Sequence, residues 1–460
     1  MLSPVERRYT LLAVALGSSL APFMVAGLIV AIPAVGEEFT ADAVVLSWIP
    51  TVFFLAAAMF LIPFGRIADI YGGKRVFSTG LAIYFFSALI SALAPTAPVL
   101  IGARFLTGIG AAMIFATSFA LLGLILPDSE RGAALGTNIA ANFGGFALGF
   151  LAGGLLAYYS TWRVLFLVPL PVALLAVGII RRYLRRECAL SSGTRLDLPG
   201  IALSTTMILL LMVGLSLLPA VWGAAALVAG LAALGAFIVH EARTKDPVLD
   251  IRLLFRNRPL ALANAVVLVY SATASANVYL FSLYFQYVQG FDARLAGGIL
   301  LVASLVTASL VGYAGRLSDR GSPHQVAAAG VAMTTAGFAA LSFIGPATPV
   351  AIPILALVLI AAGIAFFQPP VYNIVIGAAE RAMYGVASGL VETMRLLGMT
   401  ASMAVTIVAF ALFFGGMEIT GETVPRLLAS MQVLFRIYLA LAVVSLVMIW
   451  LTGRAGRSAP

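Results

Sequence analysis

Residues 65–75 read GRIADIYGGKR, and 250 residues further on, at 315–321, the chain reads GRLSDRG. Both copies set an aspartate four residues after a glycine, with basic residues and a second glycine close behind. A second pair keeps nearly the same interval: SERGAALG ends at Gly136 and YGVASG at Gly389, 253 residues apart. Self-similarity at a fixed spacing marks a duplicated architecture. Long apolar runs flank every one of these stretches, so the nature of those runs decides the fold.

The chain has 460 residues, 62% hydrophobic and 10% charged, with a mean hydropathy of +1.08. A soluble domain has roughly a quarter of its residues charged. A bilayer absorbs about 20 apolar residues per spanning helix. Apolar runs fall at 10–35, 45–67, 76–95, 97–126, 133–158, 162–183, 198–218, 220–240, 259–287, 295–315, 325–345, 348–376, 384–414 and 428–452. Fourteen spans are therefore expected. The short alternating segments of a β-barrel are not the pattern. The single cysteine, Cys188, allows no disulfide framework. His240 and His324 are far apart, which argues against a zinc centre, and no metal site is expected. The first run is too long for a signal-peptide core and no A-x-A site follows it, so it reads as a retained span.

Charge orients the spans. With fourteen, every second loop shares a side with both termini, and that side holds 21 of the 27 basic residues, among them Arg66, Lys74, Arg75, Arg181, Arg182, Arg316 and Arg320. The opposite loops carry Glu37, Glu38 and Asp42. Basic residues stay cytoplasmic, so both termini are expected in the cytoplasm. The same bias explains a net charge of +9 as topology and makes nucleic-acid binding an unneeded reading. Two longer charged loops, starting at Arg181 and at His240, enclose one helix pair. The expected division is a six-helix bundle at 1–186, an inserted pair at 187–245, a second six-helix bundle at 246–453 and a tail at 454–460. Parallel repeats meeting at a midplane site are a transporter arrangement.

The loop after the second span, with Gly65, Asp69, Gly72, Lys74 and Arg75, resembles the signature loop of the major facilitator superfamily. Gly315 and Asp319 repeat it. The fourteen spans resemble that family's drug:proton antiporter branch. LIGARFLTGIGAA (100–112) is similar to the fourth-helix motif, with Arg104 at its buried arginine. Gly136, Gly145, Gly149, Gly153 and Gly154 match the glycines of the fifth-helix antiporter motif. STWRVLFLVPLPVALLA (160–176) and GVASGLVETMRLLG (385–398) resemble the fifth-to-sixth junction and the thirteenth helix. The chain departs from the pattern at three places. Phe150 replaces a proline, which implies a weaker kink after Gly149. Met24 stands where the branch often has an aspartate. Glu392 stands where an amide is common.

The resemblance implies an all-α polytopic protein of the major facilitator fold, not an enzyme. It implies alternating access in the inner, cytoplasmic membrane. The activity expected is proton-coupled efflux of amphipathic or hydrophobic organic compounds, of multidrug type. The proton gradient is the energy source, no cofactor is called for, and the partners are membrane lipid, a small amphipathic substrate and protons, with the protein a monomer. Two rivals are a lipid flippase of the same fold and a membrane acyltransferase. The second lacks a His/Asp or Ser/His constellation, and no Walker-type phosphate loop suggests ATP drive.

Glu392 carries the proton question by elimination: the other acidic residues fall in loops or at helix ends. Burial favours its neutral form and Arg395, one turn away, favours the carboxylate. A group pulled both ways responds to changing water access; the rival reading is a fixed ion pair. Arg104 either stabilises a carboxylate or water chain or bonds carbonyls. The signature loops read as a latch, or only as topology signals. Met24, Asn138, Asn142, Asn277, Phe281, Tyr284, Phe367, Gln368, Tyr372 and Asn373 are the candidate cavity residues, the last four around an expected break at Pro369–Pro370. For each, helix packing is the competing explanation.

Overall fold

A computed structural model of the protein describes residues 4–125, 128–184, 196–245, 247–249, 257–378 and 384–455. Among them the chain is all-α, in sixteen α-helices. The first repeat comprises α1 (Pro4–Phe39), α2 (Ala43–Tyr71), α3 (Gly73–Ala92), α4 (Ala97–Ile125), α5 (Asp128–Tyr159), α6 (Trp162–Leu167) and α7 (Pro169–Tyr183). A hairpin follows, α8 (Leu198–Ser216) and α9 (Val221–Arg243). The second repeat comprises α10 (Arg258–Ser271), α11 (Ser275–Leu283), α12 (Ala293–Arg320), α13 (Pro323–Leu341), α14 (Ala351–Ala378), α15 (Tyr384–Phe414) and α16 (Val424–Ala455). The boundary expected at 186/187, Cys188, residue 246 and the last five residues of the tail lie outside the described residues.

Thirteen helical segments among the described residues are long and apolar enough to cross a membrane. The span expected at 325–345 forms α13, whose first turn carries Pro323, His324 and Gln325; it falls below that apolarity and packs against α14. The spans expected at 162–183 and 259–287 are each interrupted. Val168 joins α6 to α7 ahead of Pro169. Residues 272–274 separate α10 from α11, and a π turn at Tyr284–Val288 follows. Conversely, the break expected at Pro369–Pro370 is absent, and α14 runs through both prolines. Neighbouring helices tolerate proline inside a membrane helix because they hold it in register, and Gly315 of α12 leaves room beside Pro369.

The duplication extends beyond the quoted motifs. Asp42 caps α2 by accepting from the Val45 amide at 2.8 Å, and Asp292, 250 residues later, caps α12 through Leu295 at 2.7 Å. Each cap satisfies an amide that the first helical turn leaves unbonded. The two repeats then exchange partners: α2 packs on α15, and its counterpart α12 packs on α5, the counterpart of α15. This reciprocal seam sets the central axis of the molecule. Helix α8 lies on both α2 and α15, beside the seam, with α9 behind it.

Helix α1 is nearly buried along its length, and α5 holds it through backbone contact. A Cβ at Gly145, Gly149 or Gly153 would strike the carbonyl oxygens of Ser19, Phe23 and Gly27 respectively. Spacing of four on both helices makes a small-residue seam, the arrangement that lets membrane helices approach closely. Gly154 turns instead to α12, beside Ala293 and Gly297, while a Cβ at Gly136 would meet nothing. Met24 is fully buried in the same α1 core. Helix α9 contrasts with α1: Val221, Trp222, Val228 and Leu231 are exposed, an apolar outer face suited to lipid.

Candidate functional site

A cavity lies between the repeats, with about 1210 Å³ of empty space, its open mouth included. Helices of both repeats supply its wall. Helix α5 contributes Phe143, Phe146 and Phe150, which share a face through their spacing of three and four. Phe54 comes from α2, and Val25 and Ile29 from α1. From α14 come Phe367, Gln368 and Tyr372. The interruption between α10 and α11 contributes Ser271, Ala274, Ser275 and Asn277.

That interruption follows from the sequence SATASAN, residues 271–277. Small hydroxyl and amide side chains compete for backbone groups and offer little packing to hold a helix in register. Here α15 replaces the missing partners. The Ser275 hydroxyl donates to the Met399 carbonyl at 2.6 Å, and the Ala276 amide donates to Ser402 Oγ at 3.2 Å. A broken helix inside a membrane protein persists where it lines a cavity or is bonded by neighbours, and both conditions hold.

Opposite the break, Tyr270 and Phe367 stack with ring centroids 3.7 Å apart, and the Tyr270 hydroxyl is 2.8 Å from Thr334 Oγ1. Among the described residues of the second repeat, Glu392 is the carboxylate set inside a spanning helix. Glu392 Oε2 accepts from the Tyr372 hydroxyl at 3.1 Å and from Arg395 Nε at 2.9 Å, and Oε1 accepts from Arg395 Nη2. Arg395 Nη1 donates to Met399 Sδ at 3.3 Å. Arg395 and Met399 line the cavity; Glu392 stands behind them, with 16% of its side chain exposed.

Of the expected cavity residues, Asn277, Phe367, Gln368 and Tyr372 line the wall. Phe281 does not: it is buried against Phe285 and Phe435. Tyr284 is buried and accepts from Gln289. Asn277 and Phe281 share the unbroken helix α11, and Phe281 and Tyr284 lie further along the chain, at the end where Ser282 and Gln286 bond to α1, and pack into the core there. Met24 faces the core rather than the cavity. Asn142 donates to the Asn138 carbonyl at 2.9 Å, and the buried Asn138 amide has no partner among the described residues. Asn373 reaches Ser318 Oγ at 3.0 Å and Asp319 Oδ1 at 2.9 Å, so the second-copy aspartate ties α12 to α14 within its own repeat. Residues 143, 146, 271 and 275 escaped sequence reading, and Phe150 reads in the sequence as a missing proline rather than as cavity wall. The signals that point to them are the phenylalanine spacing in α5 and the run of small polar residues at 271–277.

In the first repeat, Arg104 is fully buried with its guanidinium carbon 4.8 Å above the Phe53 ring. None of its three side-chain nitrogens has a hydrogen-bond partner among the described residues. Nearby, the Tyr84 hydroxyl donates to the Leu20 carbonyl at 2.7 Å, joining α3 to α1. In the first signature loop, Gly72 closes α2 and opens α3 with φ at 105°, a conformation that favours glycine. Asp69 is half-buried within reach of the Arg66 charge, Lys74 is half-buried and Arg75 exposed. A Cβ at Gly65 would meet nothing.

The repeats touch at the end away from these loops. Tyr279 approaches Ser47 at 3.4 Å. Ser282 donates to the Ile29 carbonyl at 2.9 Å and Gln286 to the Val30 carbonyl at 3.0 Å, and the Ala43 amide to the Met417 carbonyl at 3.2 Å. At the same end Glu38 accepts from Trp162 Nε1 at 2.7 Å and pairs with Arg163, whose Nη2 reaches the Ala94 carbonyl at 2.9 Å. Among the described residues no group of three His, Cys, Asp or Glu is arranged to hold a metal.

Two copies of a helical repeat enclosing an apolar cavity in a chain of membrane-spanning helices define a multi-pass membrane transporter. The chain belongs to the major facilitator superfamily, whose model it matches over residues 14–403. It is 28% identical over 382 residues to the multidrug resistance protein Stp of Mycobacterium tuberculosis (strain CDC 1551 / Oshkosh), covering 82% of this chain and 71% of that one. It is 32% identical over 391 residues to the cephamycin export protein CmcT of Amycolatopsis lactamdurans, covering 82% and 80%. In three dimensions it is similar to a bacterial homolog of the human lysosomal transporter Spinster, with TM-score 0.72, 15% identity and 98% of each chain covered. At that identity the likeness speaks for the fold alone.

Proposed function

We propose that this transporter exports amphipathic or hydrophobic organic compounds from the cytoplasm in exchange for protons. The observation that carries the reading is the aromatic cavity with Arg395 on its wall and Glu392 paired to that arginine. Export relatives such as Stp and CmcT support the direction. In this reading the basic face is cytoplasmic, both termini lie there, and the membrane is the inner one. The contacts of Ser47, Ser282 and Gln286 then close the outer end, leaving the cavity reachable from within. The repeats, taken as bundles at 1–186 and 246–453 with the inserted pair at 187–245, tilt about the seam of α2 with α15 and α12 with α5.

Glu392 takes and releases the proton. Arg395 holds it as a carboxylate until water or substrate intervenes, and Arg104 adds positive potential from the first repeat. Asp69, Arg75 and Asp319 act at the cytoplasmic face, where Asp319 trades Asn373 for a partner across the seam as the cavity closes. The protein works as a monomer in lipid.

The test is substrate uptake into everted membrane vesicles under an imposed pH gradient. Glu392→Gln keeps the side-chain shape and one acceptor oxygen for Arg395, turns the other oxygen into an amide donor, and removes the titration. It is expected to abolish gradient-driven flux while leaving equilibrium exchange. Full gradient-driven flux in that variant would remove the proton assignment.

A further inference from the structure

We propose that the cavity selects aromatic compounds that are uncharged or anionic and present a carboxylate or carbonyl oxygen to Arg395, and that it disfavours organic cations. The proposal rests on the cavity being the substrate site. Among the described residues that line it, Arg395 is the one charged side chain. Two of its nitrogens are engaged by Glu392. The third, Nη1, has the Met399 sulfur at 3.3 Å, and a thioether is a weak acceptor. The guanidinium thus holds one poorly satisfied donor beside the cavity, and an oxygen acceptor there makes a charge-assisted hydrogen bond.

The carboxylate is not comparably available to a cation. Both Glu392 oxygens already accept, from Arg395 and from Tyr372, and Arg395 lines the cavity whereas Glu392 does not. Arg104, buried and without a hydrogen-bond partner among the described residues, puts a second guanidinium in the interior. Protonation of Glu392 would enlarge the positive excess. Aromatic faces do attract cations, yet a like charge at short range in a low-dielectric site opposes them more strongly. The phenylalanines of α5 and the stacked Tyr270–Phe367 pair hold the apolar body of the ligand, and Gln368 offers a second polar contact.

The test uses purified full-length protein in detergent, with no gradient, and three probes that share one ring system: anthracene-9-carboxylate, anthracene-9-carboxamide and 9-(aminomethyl)anthracene. Binding is measured calorimetrically against matched empty micelles. The carboxylate and the carboxamide are expected to bind about tenfold or more tighter than the protonated amine. Met399→Gln keeps every charge and gives Nη1 a stronger internal acceptor, so it is expected to weaken the carboxylate by about three- to tenfold. Tighter or equal binding of the amine, no measurable binding of any probe, or an unchanged carboxylate affinity in Met399→Gln overturns the proposal. Because no gradient is present, this outcome is separate from that of the flux assay. An inverted probe order with intact Glu392-dependent flux defeats only the selectivity, and the expected order with Glu392-independent flux defeats only the proton assignment.

Discussion

Arg104 and Arg395 are both guanidiniums deep in spanning helices, and the protein treats them in opposite ways. Arg395 sits in α15 with a carboxylate one turn away and uses Nε and Nη2 on it. Arg104 sits in α4, more fully buried, over the Phe53 ring and with no hydrogen-bond partner among the described residues. The first arrangement neutralises its charge locally. The second leaves a charge whose field acts at a distance, because a low-dielectric interior screens it poorly. In the proposed exchange the second repeat holds the group that takes the proton, and the first holds a second buried guanidinium.

Removing one member of the pair should have the largest effect on stability. Arg395→Met leaves Glu392 with the Tyr372 hydroxyl alone, and breaking a buried pair from one side costs about 3–5 kcal/mol. A matching fall in thermal stability in detergent is expected, with most of it recovered in the double variant Glu392→Gln/Arg395→Met. If the double variant is no more stable than the single one, the pair is not a matched unit and the comparison fails.

Arg104→Met should behave differently. It removes a charge that no hydrogen bond holds, against the loss of a ring contact worth about 2 kcal/mol when desolvated. The variant is expected to melt within about 1 kcal/mol of the wild type or above it, because burying a lone charge is itself unfavourable. Gradient-driven flux should fall. A variant that unfolds would mean that Arg104 is held structurally after all.

The smallest effect belongs to a third pair. Glu38 and Arg163 meet at the end of α1 with side chains 43% and 28% exposed. An exposed pair of this kind contributes about 0.2–1 kcal/mol. Glu38→Gln should shift the melting temperature barely measurably and should be insensitive to high salt, which screens the parent pair. A loss as large as that of Arg395→Met would show that exposure does not separate the two classes.

Much of this was legible in the sequence. The 250-residue interval between Gly65 and Gly315 announced the duplication, and it proved to reach the capping residues Asp42 and Asp292. The glycines at 145, 149 and 153 were visible as a spacing, since backbone approach needs small residues wherever the partner lies. The position of Glu392 two turns inside a span was equally plain. The partner of those glycines, the carbonyls of α1, was not, because helix packing joins residues more than a hundred positions apart. Nor was the fate of the polar residues. Phe281 and Tyr284 share a face with Asn277 on an ideal helix, yet they fall further along the chain, at the end where Ser282 and Gln286 bond to α1, and are buried there. Pro369 and Pro370 look like a break and are carried through by their neighbours.

What the sequence determined by itself is the class of molecule: apolar runs of bilayer length, repeated in two copies, with basic loops on one face. These follow from transfer free energies and chain periodicity, which are local properties. Only the tertiary structure decided which polar side chains meet at the cavity, that Arg395 lines it while Glu392 does not, and that Arg104 has no hydrogen-bond partner among the described residues. Those depend on helix register and on where a helix is interrupted. The run at 271–277 marks an interruption, but register, and what each side chain then meets, is set by close packing between distant segments, for which no short stretch of sequence holds the information.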